Sequence, residues 1–498
     1  MVVNRTVYAL SMTTPDFTPW AGSFARQLQR LRSTSAPTLH QFELLFSLWI
    51  PHWRLAQQDE GKHSRDRLWN LRLAFWAFLW QVAQAGASCR EAVRQAQVLC
   101  QSANRRPPPD TNSPYCQARG ALPLDRLQEI HDGVVREAQT GLATKDLWCG
   151  HHVFVADGST VTAPDTPENQ KAFPQQSVQK SGCGFPIIRL VALLSLATGM
   201  LTAWTTGHWY QHEVCLLQML WDCLRPGDVL LADRGFCNRG LLAQCLQRQI
   251  HPVFRVKGVR RRDFRRGKRI GNDERLVQWR KPNYRATTIS AEQWDRLPEA
   301  LTLRLVRCRF QIPGFRTRQV ILVTTLLDSV KYPPAVLGQL YYRRWAMELT
   351  LHNLKTTLQM DQLSCKTPQN LEREIRMHFL VHNLVRRLML EAARRHQVRL
   401  ERVSFAGSLA AARRYGEALW QAPSERRRRH LQDELFRVLA ADLVPDRPGR
   451  REPRAVKRRP KPYPRLMCHR SRFREIQHQN RYYAKRVSGA RYRNSSRP

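Results

Sequence analysis

Residues 152 to 160, HVFVADGST, decide the fold of this chain, because here the sequence changes from helical patterns to β-type patterns. HVFVAD is a short apolar run that ends in the carboxylate of Asp157, and the small residues of GST follow at once. A second run, DVLLAD at 228 to 233, predicts a buried strand and ends in Asp233. Short apolar runs bounded by turn residues are typical of strands inside an α/β sheet. Such sheets place their functional sites at strand ends, so both aspartates are candidate site residues.

The segments that surround these two runs predict a mixed sheet. Residues 187–209 predict two strands joined at Ala197-Thr-Gly-Met200. Residues 213–224 and 238–248 predict helices, and HPVFRV at 251–256 predicts a further strand. The element order is therefore strand, strand, strand, helix, strand, helix, strand. This is the element order of a ribonuclease-H-like α/β domain.

The α/β pattern is interrupted between residues 257 and about 334. A strongly basic run opens this segment, and two β-type runs follow, LTLRLVRCRFQI at 301–312 and RQVILVTTLLD at 318–328. We therefore predict a β-rich insertion between the last strand of the sheet and the next helix.

Residues 341 to 359, YYRRWAMELTLHNLKTTLQ, predict a single helix. Its apolar side would consist of residues at helical spacing, which are Leu340, Trp345, Leu349, Leu354 and Leu358. The opposite side would present polar residues spaced three, four and seven apart, which are Tyr341, Arg344, Glu348 and Lys355. Two cations, a carboxylate and a phenol in a row suit a site that handles phosphates and a metal ion. The alternative is a solvated helix face with ordinary ion pairs.

The remainder of the chain predicts helical and basic segments around an α/β domain at 150–400. Residues 1–145 are mostly helical, and a compact helical domain there is either a DNA reader or a support for the α/β domain after it. Residues 401–445 predict a helical C-terminal region. The tail at 446–498 combines Pro with Lys and Arg, which predicts disorder and either attraction to polyphosphate or a merely solubilising role.

The charge balance of the chain indicates a nucleic acid partner. The 498 residues include 81 Lys and Arg against 40 Asp and Glu, a net charge of +41. Such an excess suits a protein that covers many phosphates, because each neutralised phosphate releases counterions. A membrane surface is the weaker alternative, since the basic residues do not gather on one amphipathic helix. The 12 cysteines have no regular spacing and the N-terminus has no secretory pattern, which predicts a soluble intracellular protein.

Three carboxylates are the candidate metal ligands. Asp157 and Asp233 end predicted strands, and Glu348 faces outward from the predicted helix. Cleavage and joining of a phosphodiester require a nucleophilic oxygen, neutralised phosphate charge and a stabilised leaving oxygen. Two divalent ions about 4 Å apart meet these needs, and carboxylates are the oxygen ligands that hold Mg²⁺. Taken singly, each carboxylate could instead be a surface charge or a cap, with Asp157 forming an Asx turn.

Several motifs together resemble the DDE transposases of the insertion sequence 4 family. They are DGST at 157–160, a loop with PENQ and GFP, DRGF at 233–236, and a Tyr-x2-Arg-x3-Glu-x6-Lys array at 341–355. The resemblance covers roughly residues 150 to 400. It implies a ribonuclease-H-like catalytic core interrupted by a β-rich insertion.

The resemblance also assigns roles to particular residues of this chain. The implied catalytic residues, which bind two Mg²⁺ ions or Mn²⁺ in their place, are Asp157, Asp233 and Glu348. The implied contacts to double-stranded DNA near a transposon end are Tyr341, Arg344, Lys355 and the adjacent aromatic Trp345.

The implied function is cut-and-paste DNA transposition. Water cuts the first strand at a terminal inverted repeat, and the freed 3′-OH attacks the opposite strand to form a hairpin. The helical N-terminal domain would recognise the repeats, and pairing of two ends implies a homodimer. The resemblance also implies a bacterial, cytoplasmic, nucleoid-associated protein. The alternatives are a repressor of transposition that keeps the fold without catalysis, and a structure-selective nuclease of the same fold.

Overall fold

The computed structural model of the protein describes residues 40–56, 68–180, 182–258, 263–309 and 319–445. The predictions for the basic tail, for the first 39 residues and for part of the basic run after residue 257 lie outside these ranges. No helix within the described ranges is long and apolar enough to cross a membrane.

Helices form most of the described N-terminal region. They are α1 (Gln41–Phe46), α2 (Leu71–Ala83), α3 (Cys89–Ser102), α4 (Ser113–Gly120) and α5 (Leu124–Thr140). Helix α2 is apolar on nearly every side and is buried, as expected for a helix surrounded by other elements. Helix α3 begins with a capping box, in which the Ser88 hydroxyl accepts from the Glu91 N–H and the Glu91 carboxylate accepts from the Ser88 N–H.

The centre of the protein is a mixed sheet of nine strands within the described residues. The strands are β1 (Val153–Thr162), β2 (Ile187–Ser195), β3 (Leu201–His208), β4 (Val229–Ala232), β5 (His251–Arg255), β6 (Lys268–Gly271), β7 (Glu274–Arg280), β8 (Ala300–Arg309) and β9 (Gln319–Thr324). The short helices between them are α6 (Pro167–Ala172), α7 (Glu213–Gln218), α8 (Arg239–Gln247), α9 (Asp263–Arg266) and α10 (Ala291–Asp295). The strand order is β3-β2-β1-β4-β5-β9-β8-β7-β6. The protein is therefore a mixed α/β fold built on one large sheet.

Strand direction divides the sheet into a mixed half and an antiparallel half. Strand β2 runs antiparallel to both of its neighbours, β1 and β3, whereas β4 and β5 run parallel to β1. Strand β9 pairs antiparallel with β5, and β6 to β9 form antiparallel neighbours. Strands β6 to β9 fall in the segment predicted as a β-rich insertion. They extend the central sheet from its β5 edge.

The segment predicted as a single helix over 341–359 is divided into three pieces, so that prediction was wrong. The pieces are α11 (Pro334–Tyr342), α12 (Trp345–His352) and a π-helical turn (Asn353–Thr357). Between α11 and α12 the backbone bonds join residues three apart, as from the Met347 N–H to the Arg344 carbonyl at 3.0 Å. A turn of this kind is tighter than an α-helical turn and rotates the following side chains about the axis.

The side chains that are buried in this segment differ from the predicted apolar side. Trp345 is 43% exposed and Leu349 is 51% exposed, although both were predicted for the apolar side. Met347 is fully buried in their place, and Leu354 and Leu358 are buried as predicted. Leu340, at the start of the predicted apolar side, is also buried, so the prediction was wrong only for Trp345 and Leu349.

The long helix α13 (Pro368–Arg395) joins the sheet to the N-terminal helices. The Arg373 Nε donates to the Leu122 carbonyl at 2.7 Å, and the Asn383 side-chain amide donates to the Leu201 carbonyl at 2.8 Å. Helices α14 (Phe405–Gln421) and α15 (Glu425–Ala441) pack on the same side. One hydrophobic core includes residues of the N-terminal helices, of one face of the sheet and of α13, and a second core covers the opposite face.

Candidate functional site

The register of β1 and β4 brings Asp157 and Asp233 next to each other. These parallel strands pair from Val153 with Val229 to Ala156 with Ala232, and the two aspartates are the next residues on each strand. Side chains alternate along a strand, so residues at matching positions face the same side of a sheet. Val155 and Leu231, two residues before the aspartates, belong to the core that includes α13. Both carboxylates therefore lie on that face.

Asp157 does not end its strand, which corrects the prediction from the sequence. Strand β1 continues to Thr162, because β2 pairs with it along the whole stretch from Phe154 to Thr162. Strand β4 stops at Ala232, so the edge of β1 facing β4 has no strand partner from Asp157 until Thr162, which forms a parallel bridge with Gln362. The Asp157 carboxylate thus occupies the notch where one neighbouring strand ends and the other continues.

The turn after β4 holds the Asp233 carboxylate in place. Its Oδ1 accepts a hydrogen bond from the Gly235 N–H at 2.6 Å. A Cβ at position 235 would lie 2.9 Å from this oxygen, so glycine permits the close approach. The next residue, Phe236, is 1% exposed and anchors the turn in the second core.

A fourth carboxylate, which the sequence did not indicate, approaches β1 at Gly158, on the face of the sheet opposite to the Asp157 side chain. The Asp157 Oδ1 accepts from the Gly158 N–H at 2.8 Å. The Glu213 carboxyl carbon lies 2.5 Å from the point where a Cβ of Gly158 would be. Glu213 begins α7, and its approach to β1 is possible because Gly158 has no side chain. The only signal in the sequence was a glycine directly after Asp157.

Arg344 connects two of the three predicted metal ligands. Its Nη2 lies 2.5 Å from the Glu348 Oε1, and its Nη1 lies 3.6 Å from the Asp157 Oδ2. The Arg344 side chain is 17% exposed. Burial lowers the pKa of Arg344, whereas Tyr341, Glu348 and Asp157 raise it, and the net shift of this pKa is upward. The guanidinium therefore remains charged between the two carboxylates.

The pKa of Asp157 is raised by its burial and by neighbouring carboxylates. Burial raises the pKa of Asp157 to about 6; the Gly158 hydrogen bond and Arg344 oppose this rise, and Asp233 and Glu348 add to it. Two further carboxylates are thus close enough to affect Asp157. All three predicted metal ligands therefore lie close enough together for the charges of Asp233 and Glu348 to raise the pKa of Asp157.

Tyr341 is more buried than a solvated helix face would allow. Its side chain is 8% exposed, and the Arg344 guanidinium lies 5.9 Å from the centre of its ring. Burial raises the pKa of Tyr341 to about 12; Arg344 and Arg255 lower it, and Asp233 raises it. The phenol therefore stays neutral and lies among the charged residues of the site.

Lys355 and Trp345 lie at the border of this group. The Lys355 ammonium lies 2.9 Å from the Asp361 Oδ1 and donates to the Thr160 carbonyl at 2.9 Å, so it is attached to the downstream half of β1. Trp345 is largely solvent-exposed beside Arg344. The described contacts join Asp157, Arg344 and Glu348 directly, with Asp233 and Tyr341 as close electrostatic neighbours.

The donor set fits a hard divalent cation by its chemistry. Carboxylate oxygens are the preferred protein ligands of Mg²⁺. Burial is the main cause of the raised pKa of Asp157, and Asp233 and Glu348 add to it. Within the described ranges, no three His, Cys, Asp or Glu side chains stand together at metal-ligand spacing. Arg344, which spans Asp157 and Glu348, provides the positive charge between them.

Comparison with known proteins supports the predicted class of this protein. Residues 148–384 match the transposase DDE domain, and this range contains every predicted site residue. These similarities support the prediction from its motifs that the chain is a DDE transposase of the insertion sequence 4 family.

Three known proteins illustrate the relationship. The chain is 28% identical over 321 residues to the transposase InsG for insertion sequence element IS4 of Escherichia coli strain K12, which covers 64% of this chain and 70% of that protein. It is 31% identical over 136 residues to the putative transposase InsZ of the same strain, covering 26% of this chain and 44% of that protein. A solved piggyBac transposase in a synaptic complex with hairpin DNA is similar with a TM-score of 0.39 and 10% identity, covering 81% of this chain and 86% of that chain.

Proposed function

We propose that this transposase moves its element by cut-and-paste, with Asp157, Asp233 and Glu348 as the catalytic carboxylates. One observation supports this most strongly. The β1–β4 register aligns the two aspartates at the notch where β4 ends, and Arg344 links Asp157 to Glu348 at the same place. Three carboxylates that are far apart in the sequence thus meet within one electrostatic neighbourhood.

We also propose a ribonuclease-H-like catalytic core within residues 150–400. The order β3-β2-β1-β4-β5, with three antiparallel strands followed by two that run parallel to β1, supports it. Helices α7 and α8 cover one face and α13 covers the other. The proposed active site lies where β4 ends, which is the sheet edge that α/β folds use for their sites.

The three carboxylates would hold two Mg²⁺ ions, or Mn²⁺ in their place. Bound there, such ions supply neutralisation of phosphate charge and stabilise both the attacking and the leaving oxygen. Asp157 and Asp233 contribute ligands from rigid strands, whereas Glu348 contributes a ligand from α12. The burial of Asp157 keeps water away from one side of the group.

Four further residues would position the DNA. The planar fork of Arg344 fits two phosphate oxygens at once, and the Lys355 ammonium offers a point charge near Thr160. The Tyr341 hydroxyl remains protonated and can donate to a phosphate without adding charge. The exposed ring of Trp345 is available for stacking against a base.

The proposed reaction proceeds in two chemical steps at each terminal inverted repeat. Water first cleaves one strand, and the released 3′-OH then attacks the opposite strand, so that the flank is released and the element end closes as a hairpin. A homodimer would hold two ends together, and the N-terminal helices would recognise the repeats. The high positive charge of the chain supports extensive phosphate contacts.

A cleavage assay with a matched pair of variants tests this proposal. The substrate is the DNA that flanks this gene at its own locus, incubated with Mg²⁺, with Ca²⁺ or with chelator and resolved on a denaturing gel. Glu348→Gln removes a metal ligand and should lower cleavage by about 1000-fold or more, because such an ion contributes several kcal/mol. DNA binding should be largely unchanged, since Glu348 is not a phosphate contact.

The control is Glu417→Gln, which changes an exposed carboxylate of α14. It should cleave like the wild type. If Glu348→Gln lost binding and cleavage together, the assignment of Glu348 as a metal ligand would fail. If wild-type protein bound the flank but never cleaved it under conditions that pair two ends, the repressor alternative would be favoured.

A further inference from the structure

Arg344 has two incompatible partners if the proposed function is correct. Its guanidinium contacts Glu348 at 2.5 Å and Asp157 at 3.6 Å, yet it is also the proposed clamp for a DNA phosphate. Among the described residues, no other Lys or Arg forms an ion pair with either carboxylate. Arg344 thus stands where divalent cations would balance the charge.

The contacts of Arg344 leave part of its hydrogen-bonding capacity unused. The Nη1 distance of 3.6 Å to Asp157 suits an ion pair but exceeds a normal hydrogen bond. The Nε is buried and has no hydrogen-bond partner among the described residues. A buried donor without a partner is unfavourable, so the present arrangement does not satisfy this side chain fully. A phosphate could accept two parallel hydrogen bonds from the same fork.

We propose that Arg344 is a placeholder for the metal ions and that DNA must displace it before they bind tightly. In the DNA-free protein its guanidinium neutralises Asp157 and Glu348 and keeps them close together. When DNA arrives, a backbone phosphate takes the guanidinium, and the two carboxylates become free for divalent ions. This proposal rests on the proposed function and adds an order of binding, with DNA first and metal second.

Electrostatics supports such an exchange. A cation between two carboxylates opposes the entry of a second cation, because like charges repel most strongly where burial reduces screening. Arg344 is 17% exposed, so its charge acts in a partly desolvated site. When the Arg344 side chain moves toward a phosphate, its contacts with two carboxylates are replaced by contacts with another anion of similar charge. The exchange therefore requires no rearrangement of the sheet.

Thermodynamic linkage gives the proposal a second, reciprocal consequence. If DNA strengthens metal binding by some factor, metal ions must strengthen DNA binding by the same factor. Both effects should disappear when Arg344 loses its charge, because the carboxylates are then free with or without DNA.

The test is a Mn²⁺ titration of full-length protein in which free Mn²⁺ is measured by electron paramagnetic resonance. The protein is titrated alone and with a duplex from the DNA flanking its gene. For the wild type, the duplex should tighten Mn²⁺ binding by about 10-fold or more, which is a typical coupling between sites. For Arg344→Ala without DNA, binding should already be as tight as for the wild type with DNA, and the duplex should add little.

Arg343→Ala is the matched control. The adjacent Arg343 pairs with Glu401 at 3.2 Å and, among the described residues, forms no ion pair with a predicted metal ligand, so its removal should leave the coupling at the wild-type value. Arg344→Gln serves as a second neutral variant that retains much of the side-chain volume. Melting curves identify any variant that does not fold.

Two results would overturn the proposal. One is Mn²⁺ binding to DNA-free Arg344→Ala and Arg344→Gln that is no tighter than binding to the wild type. The other is wild-type Mn²⁺ affinity that the duplex does not change. Failure of the proposed function would give a different result. Asp157→Asn and Glu348→Gln would then bind Mn²⁺ as tightly as the wild type, both with and without the duplex.

Discussion

The two sides of the candidate site are positioned by different physical means. Asp157 and Asp233 are held by strand register, in which backbone hydrogen bonds on β1 and β4 fix their relative position. Arg344 and Glu348 lie on a helical segment that is interrupted by a tight turn before Trp345 and by a π-helical turn after His352. Helix interruptions of this kind mark functional segments or local strain. The strand side is therefore positioned by sheet hydrogen bonds, and the helical side is positioned by an irregular helical segment.

The largest expected effect tests how the helical side is anchored. Met347 is fully buried, whereas Leu349, two residues later on the same helix, is 51% exposed. Met347→Ala should lower the free energy of unfolding by about 2–5 kcal/mol, because it leaves a cavity in the core. Leu349→Ala should change it by no more than about 0.5 kcal/mol, as usual for exposed sites. Chemical denaturation of both variants measures the difference.

This pair of variants distinguishes the observed buried side of the helix from the predicted apolar side. If the predicted apolar side were correct, Leu349→Ala would be the more destabilising change. An equal loss of stability in the two variants would also contradict the observed burial, in which Met347 contacts the core and Leu349 is exposed.

The contrast between the two sides also explains how much of the site could be predicted from the sequence. The runs VFVAD and VLLAD are short, apolar and alike, so two strands that each lead to an aspartate followed from local pattern alone. The helical side was harder, because apolar residues lie on both of its faces. Met347 is seven residues from both Leu340 and Leu354 and shares their buried face, whereas Trp345 and Leu349 lie on the exposed face.

Long-range contacts account for the remaining differences. Glu213 approaches β1 only because α7 packs over Gly158, and residues this far apart in sequence leave no local signal of their contact. The predicted β-rich segment extends the central sheet because β9 pairs with β5, and the choice of pairing partner depends on the whole fold. The continuation of β1 beyond Asp157 likewise depends on β2, which comes later in the chain.

The next largest effect tests the strand side through Gly158. A Cβ at this position would lie 2.5 Å from the Glu213 carboxyl carbon, so Gly158→Ala forces the glutamate or the strand to move. Overpacking of this kind costs about 1–3 kcal/mol, and we expect a loss of stability in that range with slower DNA cleavage. Glu213→Ala in the same chain removes the clash and should restore the stability lost in Gly158→Ala.

The double variant gives this prediction its control. If Gly158→Ala were equally unstable with and without Glu213, the cost would come from the strand backbone and not from the glutamate. Cleavage by the double variant then shows whether Glu213 itself contributes to activity, because its carboxylate is absent while the geometry of β1 is retained.

The smallest effect concerns Lys355, which joins the two sides. Its ammonium extends from the π-helical turn to the Thr160 carbonyl on β1 and to Asp361, and the Lys355 side chain is 30% exposed. An exposed ion pair contributes at most about 1 kcal/mol, so Lys355→Ala should melt within a few degrees of the wild type. If Lys355 also contacts a DNA phosphate, the slope of log affinity against log salt should fall by about 1.

The control is Lys366→Ala, which changes a nearby exposed lysine and should leave the slope unchanged. A wild-type salt slope for Lys355→Ala together with a clear loss of stability would mean that this lysine stabilises the contact between helix and strand and does not bind DNA. Arg344 would then be the remaining cation among the predicted DNA contacts of the helical side.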